Sequence, residues 1–229
     1  MKILENKIKN FPILGNFCIS IYKRLTGKIP FKNSSEYWEE RYKKGGNSGS
    51  GSYNELAEYK SEIINSFVEE NNISSIIEFG SGDGNQLKYL KVNSYVGYDV
   101  SKSAILRCKN LYKNDPSKKF DLMNNHKDEK AELTLSLDVI YHLVEDEIYF
   151  NYMNKLFNSS TKFVIVYSSN DDDHENNNIA PHVKHRKFTT WIPENVKSFK
   201  LIKNIPNKFA YNGDGERTSY ADFYIFAKE

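Results

Sequence analysis

Short apolar runs punctuate the middle of the chain: Ile76 to Phe79, Tyr95 to Val100, Lys119 to Met123, Leu133 to Leu137 and Phe163 to Tyr167. Segments long enough for helices separate them, and strand alternating with helix predicts a parallel sheet with right-handed crossovers. Two later runs, Phe199 to Ile205 and Tyr220 to Ala227, have no room for a full helix between them and are joined by Asn212-Gly213-Asp214-Gly215. They are predicted to pair antiparallel at the sheet edge. Ahead of the first strand, Leu56, Ile63, Ile64, Phe67 and Val68 recur at helical spacing between Tyr53 and Asn71, which marks a core-facing helix. Earlier still, Ser34-Ser35-Glu36 opens a helix through Trp38 and Tyr42 that stops at Gly45-Gly46. The next six residues, Asn47 to Ser52, have the composition of a flexible linker, placed where it could act as a mobile cover. The division expected is an N-terminal extension over residues 1–52 and one α/β domain over 53–229.

Composition changes this picture little. The aromatic content of 14% and the interspersed charges argue against disorder, and a net charge of +2 is a weak footprint for gripping a polyphosphate backbone. Small-molecule acceptors are therefore favoured over nucleic acid. Cys18 and Cys108 have no metal-ligand spacing and no disulfide-rich context, so a reducing compartment, the cytoplasm, is expected. Phe11 to Tyr22 superficially looks like a secretory signal, but Pro12, Gly15 and Asn16 interrupt it and it is too short to span a bilayer. It reads as a packed or partner-binding amphipathic segment, with surface attachment to a membrane as the alternative and no integral association.

Chemistry enters at Glu78-Phe79-Gly80-Ser81-Gly82-Asp83-Gly84, which follows the first strand and precedes a helix-like Asn85 to Leu90. Missing side chains there let a ligand approach the backbone and a helix N-terminus. The spacing is G-x-G-x-G preceded by an acid, whereas a dinucleotide fingerprint would put its third glycine where Asn85 stands. This favours S-adenosylmethionine over a nicotinamide cofactor. Asp99, at the end of the second strand, has the offset of a carboxylate that accepts bonds from ribose hydroxyls.

Glu78 through Gly84, Asp99 and the run Leu135 to Leu143 resemble the successive motifs of class I S-adenosylmethionine-dependent methyltransferases. The resemblance covers roughly Tyr53 to the C-terminus. It implies a Rossmann-like, seven-stranded, mostly parallel sheet with helices on both faces and an antiparallel C-terminal hairpin, here preceded by a helical extension. It further implies that Glu78 and the backbone of Gly80, Ser81 and Gly82 hold the methionine portion, Asp99 the ribose, and the region from Asp121 to Met123 the adenine. Tyr37 to Tyr42 followed by Gly45-Gly46-Asn47-Ser48-Gly49 resembles an N-terminal lid of bacterial surface-polysaccharide methyltransferases. That likeness implies that Tyr37, Arg41, Tyr42 and Ser48 close over the cofactor; ordinary helix packing by Trp38 and Tyr42 is the alternative.

Methyl transfer to a hydroxyl requires alignment and a base. His142 is the candidate, since it follows the fourth strand on the ligand face of an open α/β sheet; a histidine that merely packs or caps a helix is the alternative. Asp138 either orients it or touches the cofactor, and Tyr141 lies beside the acceptor. After the fifth strand, His182-Val183-Lys184-His185-Arg186-Lys187 could bind a phosphate or carboxylate, with Arg186 as a bidentate fork and His182 and His185 as donors or a second base. Asp171-Asp172-Asp173-His174-Glu175 has metal-ligating residue types, but consecutive acids in a turn are usually hydrated, and no metal is assigned. The expected activity is O-methylation of a sugar, nucleotide-linked sugar or phosphoryl group in capsule or surface-polysaccharide synthesis. A non-catalytic cofactor-binding scaffold and a nucleic-acid methyltransferase are the alternatives. Oligomeric state is not readable.

Overall fold

The computed structural model describes residues 29–172 and 180–229. Helix α1 spans Ser34–Lys43, α2 Asn54–Glu70, α3 Lys102–Leu111, α4 Asp146–Asn158 and α5 Phe188–Asn195. The strands are β1 Ser75–Phe79, β2 Ser94–Asp99, β3 Lys118–Leu122, β4 Ala131–Leu137, β5 Ser160–Ser168, β6 Phe199–Ile205 and β7 Asp222–Lys228. They form one sheet in the order β3-β2-β1-β4-β5-β7-β6. The first five pair in parallel, and β7 lies antiparallel between β5 and β6. This is the expected architecture, including the reversed final pair.

Consecutive strand residues point to opposite faces, so one sheet serves two cores. Ile76, Leu133, Leu135, Ile165 and Phe223 pack with Ile64, Phe67 and Val68 of α2 and Ile105 and Cys108 of α3. Ile77, Phe79, Val164, Val166 and Phe226 pack with Met153, Leu156 and Phe157 of α4 and Phe188 and Ile192 of α5. A strand covered on both faces needs a continuous apolar run instead of an alternating one, which is why the central strands are visible in the sequence.

Two connections differ from expectation. Asn85 to Leu90 forms no α-helix, only a 3₁₀ turn over Gln86–Tyr89. Side chains hold this segment down on α2 and on the turn ahead of it: Gln86 Nε2 donates to Ala57 O at 2.8 Å and to Ser61 Oγ at 2.7 Å, and Asn85 Nδ2 to Ser52 O at 2.6 Å. The stretch from Asn47 to Ser52 is also no loose linker. Ser48 N donates to Asp83 Oδ2 at 2.9 Å and Ser48 Oγ accepts from Asp83 N at 3.0 Å, followed by a 3₁₀ turn at Ser50–Ser52.

Helix α1 is laid across the carboxyl ends of the strands. Asn33 caps it, accepting from Glu36 N. Ser34 donates from N and Oγ to Glu145 at 2.9 and 2.6 Å. On the other side Glu39 accepts from Ser101 Oγ, Ser103 N and Ser103 Oγ, so its carboxylate sits at the N-terminus of α3, where a negative charge is favoured. Arg107 of α3 closes the far end by donating to the carbonyls of Gly46 and Tyr42. Beneath α1, the chain leaves β1 towards β2 on one side while β4 pairs on the other. In open α/β sheets this reversal of strand order opens a crevice beyond the strand ends. The Phe11 to Tyr22 segment lies outside the described residues.

Candidate active site

The glycine turn closes the amino side of that crevice. Gly80 has φ +85 and Gly82 φ +56, the left-handed region. Space as well as angle demands glycine here: an added Cβ at Gly80 would lie 2.4 Å from Val139 Cγ2, and one at Gly82 2.4 Å from Ser48 Oγ. The backbone of this turn is the part expected to hold the methionine portion, and its amides are satisfied within the protein. Tyr98 O accepts from Gly80 N and Ser81 N, Asp99 Oδ2 accepts from Gly82 N at 2.9 Å, and Gly84 N bonds back to Ser81 O. With its donors spent and only a short 3₁₀ turn behind it, this corner offers carbonyl and Cα surface, which suits a cation better than a phosphate. Ser81 is buried and turned under the sheet against Gly97, where a Cβ would meet it at 2.8 Å.

Asp99 faces the crevice from the end of β2, 6% exposed, with its other oxygen accepting from Ser101 N at 2.8 Å. Burial raises its pKa to about 6 against the pull of these amide bonds. Glu78 is 3% exposed and accepts from Tyr95 OH at 2.5 Å; burial pushes it up to about 7. Its carboxyl is turned towards Tyr95 of β2 and is not among the residues that line the cavity.

The cavity holds about 680 Å³ of empty space, partly open to solvent. Of the residues singled out in the sequence, Tyr42, Ser48, Gly80, Gly82, Asp99, Met123, Asp138 and His142 line it, joined by Ser34, Trp38, Val100, Leu143 and Ile148. Tyr42 OH bonds Ser48 Oγ at 2.9 Å over the glycine turn. Arg41 stays outside the cavity, donating from Nε to Asn47 O at 2.6 Å and lying over Trp38.

On the opposite rim, Asp138 ends β4 at φ +60, uncommon for any residue with a side chain. Lys60, fully buried on α2, donates to its Oδ2 at 2.6 Å, and Tyr141 OH donates to Oδ1 at 2.8 Å. Asp138 thus orients Tyr141 and not His142. His142 is oriented by a carbonyl: its Nδ1 lies 3.0 Å from His182 O. A carbonyl only accepts, so Nδ1 carries the proton and Nε2 the free lone pair. Desolvation lowers the His142 pKa to about 4, leaving the ring neutral near pH 7. Trp38 meets it edge-on at 4.9 Å, and Tyr37 stacks on His182 at 4.2 Å with its hydroxyl 3.3 Å from Nε2. Burial lowers the His182 pKa as well.

The basic stretch expected to face an anion is largely neutralised. Arg186 donates to Leu143 O at 2.8 Å, Val144 O at 3.0 Å and Asp146 Oδ1 at 2.7 Å, and its guanidinium lies 4.3 Å over Tyr149. Lys184 bonds the same Asp146. The fork expected for an anion therefore points inward, onto two carbonyls and a carboxylate of the chain itself. His185 does not line the cavity; its Nδ1 lies 2.6 Å from Ser169 Oγ. Asp173-His174-Glu175 fall outside the described residues, among which no cluster of three His, Cys, Asp or Glu could hold a metal. Lys60 was missed in the sequence, although a signal existed: it sits four residues from both Leu56 and Ile64 on the apolar face of α2. Asp83, which binds Tyr53 OH at 2.8 Å as well as Ser48, left no such trace.

Residues 77–165 match the family model described as a methyltransferase domain. The matched segment runs from β1 into β5 and holds the glycine corner, Asp99 and His142; with the sheet order, it indicates a methyltransferase domain of Rossmann-like fold that takes S-adenosylmethionine. Among curated proteins, "Putative methyltransferase 235L" of Invertebrate iridescent virus 6 is 24% identical over 130 residues, 54% of this chain. The match covers 49% of that protein, so the chain spans about half the length of this relative. In three dimensions the N-methyltransferase NodS from Bradyrhizobium japonicum WM9, crystallised with S-adenosyl-L-homocysteine, superposes over 86% of this chain and 99% of its own. The TM-score is 0.66 at 14% identity. The small RNA methyltransferase HEN1 superposes over 76% of this chain and 25% of its own, with TM-score 0.56 and 17% identity. These likenesses concern the fold, and none carries the surface-polysaccharide association read from the N-terminal segment. Among the described residues no helix is long and apolar enough to cross a membrane.

Proposed function

We propose that the domain transfers a methyl group to a hydroxyl oxygen of a small-molecule acceptor, with His142 as the base. The acceptor class is a sugar or nucleotide-linked sugar of the kind that decorates capsule and other surface polysaccharides. The cofactor supplies an electrophilic methyl on a sulfonium. Asp99 takes the ribose hydroxyls, Met123 and Val100 flank the adenine, and the carbonyl face of Gly80 to Gly82 meets the methionine portion. Tyr42 and Ser48 close over it, and Tyr37 and Trp38 complete the wall above His142.

The observation that carries this reading is the fixed tautomer of His142. Its Nδ1 proton is committed to His182 O, so the lone pair on Nε2 belongs to a neutral ring lining the cavity. A base of low pKa suffices, because the hydroxyl becomes strongly acidic only as the new C–O bond forms. Asp138, tied to Lys60, holds Tyr141 at the acceptor rim. The inward commitment of Arg186 and Lys184 supports an acceptor without a long polyphosphate backbone.

The test begins with calorimetric titration of S-adenosylhomocysteine into wild type and His142→Ala, followed by turnover on a panel of sugars and nucleotide sugars. The expected result is equal affinity, turnover reduced by about 10²–10⁴-fold in the variant, and a wild-type acid limb near the His142 pKa of about 4. Undiminished turnover in His142→Ala would remove the base assignment. Cofactor binding without turnover on any acceptor would favour the non-catalytic scaffold.

A further inference from the structure

Outside the cavity the largest unexplained feature is a pair of tyrosines on the segment joining β6 to β7. Tyr211 and Tyr220 stack with ring centroids 3.8 Å apart, yet remain 41% and 61% exposed. Two rings held face to face in solvent, with this much surface left uncovered, form an arrangement that another flat ring can extend. The backbone holds the pair in place: Tyr211 N donates to Ser219 O, Ser219 N to Phe209 O, and Ser50 Oγ of the cover segment donates to Gly215 O at 2.9 Å.

Position gives the pair a direction. Tyr220 lies 6.1 Å from the His185 ring, His185 lies 5.8 Å from Tyr141, and Tyr141 lies 4.5 Å from His142. An unbroken series of rings thus runs from the exposed pair to the base assigned above. With two rings standing between the exposed pair and the base, the arrangement suits an acceptor made of two connected parts. Stacking recognises any flat ring face and contributes about 1–3 kcal/mol per base on aromatic platforms.

We propose that Tyr220 and Tyr211 form an acceptor platform that receives the face of a nucleobase, so that the sugar of a nucleotide-linked acceptor reaches His142. The proposal rests on the acceptor class argued under the preceding heading and narrows it to nucleotide-linked sugars. Specificity for the outer part of the acceptor then comes from the β6–β7 segment, which the cofactor never touches.

The experiment uses the full chain loaded with S-adenosylhomocysteine and follows, by ligand-observed NMR, uridine, uridine diphosphate glucose and methyl glucoside, with hexauridylate as a strand. Wild type is expected to bind uridine and uridine diphosphate glucose and to leave methyl glucoside unbound. Tyr220→Ala should weaken both by about tenfold, equivalent to about 1.4 kcal/mol, while Tyr220→Trp retains them. Equal binding by Tyr220→Ala, or no binding of either uridine compound, overturns the platform. Affinity that resides in hexauridylate and not in uridine diphosphate glucose overturns the nucleotide-sugar source in favour of single-stranded RNA. Homocysteine-nucleoside affinity, measured on each variant, reads the cofactor site separately: a platform that fails beside an intact cofactor site and a functional His142 leaves the methyltransfer reading standing.

Discussion

At the β1–β2 rim of the cavity, the bonds that hold the acid run between residues close in sequence. Asp99 is held by Ser101 two residues on and by Gly82 seventeen residues back. At the β4–β5 rim the separations are long: His142 and His182 are 40 residues apart, Lys60 and Asp138 78, and Tyr37 and His182 145. The bonds on Asp99 can form once β1 and β2 pair, whereas Ser48 and Val139 close over the glycines from distant segments. The β4–β5 rim exists only when α1, α2 and the segment after β5 are all docked. The seat of Asp99 therefore closes short loops at a small entropy cost, while base geometry depends on closures across 40 to 145 residues.

The sharpest way to break that contrast is Lys60→Ala. Removing one partner of this buried ion pair leaves Asp138 uncompensated and should cost about 3–5 kcal/mol in urea unfolding; Lys60→Met combined with Asp138→Asn, which tolerates the positive φ and still accepts from Tyr141, should recover much of it. A loss below about 1 kcal/mol would mean that water reaches Asp138. Next in size, Asp99→Ala should weaken S-adenosylhomocysteine by roughly tenfold to a hundredfold, as for hydrogen bonds to a charged group, with His142 titrating as before. Unchanged affinity would remove the ribose assignment.

The effect of pH on the first rim follows from Glu78. Its folded pKa of about 7 lies above the ordinary 4.5, so its stabilising contribution is full below pH 4.5 and is lost as pH rises through about 7. Glu78→Gln keeps an acceptor for Tyr95 and removes this loss. The variant should lose less stability than wild type between pH 5 and 8, by on the order of 2 kcal/mol. Parallel pH curves would show that the carboxyl is already ionised when buried. The smallest effect is expected at Lys184→Ala, whose partner Asp146 is mostly exposed; chemical denaturation should register about 0–1 kcal/mol.

Legibility follows the same division. Ile76 to Phe79 and Phe163 to Tyr167 could be read as strands because burial on both faces forces unbroken apolar runs. Gly80 and Gly82 could be read because a left-handed backbone against Val139 and Ser48 admits no side chain. The reading went wrong where one side chain had several possible partners. Arg186 has the chemistry of an anion fork, but two free carbonyls at Leu143 and Val144 and the carboxylate of Asp146 lie within its reach. Asn85 to Leu90 has helical composition, but Gln86 is drawn onto α2 and Asn85 onto Ser52 just ahead of it, and the segment keeps a single 3₁₀ turn.

By itself the sequence determined the order of strands and helices, the glycine corner and the acid beside it, because these depend on periodicity, on φ and on short chain separations. Only the tertiary structure decided that Asp138 answers to Lys60, that a distant carbonyl fixes the tautomer of His142, and that Tyr211 and Tyr220 stack exposed, with His185 and Tyr141 between them and the base. Each of these depends on which groups meet after the helices have docked, and no local pattern in the chain records such a meeting.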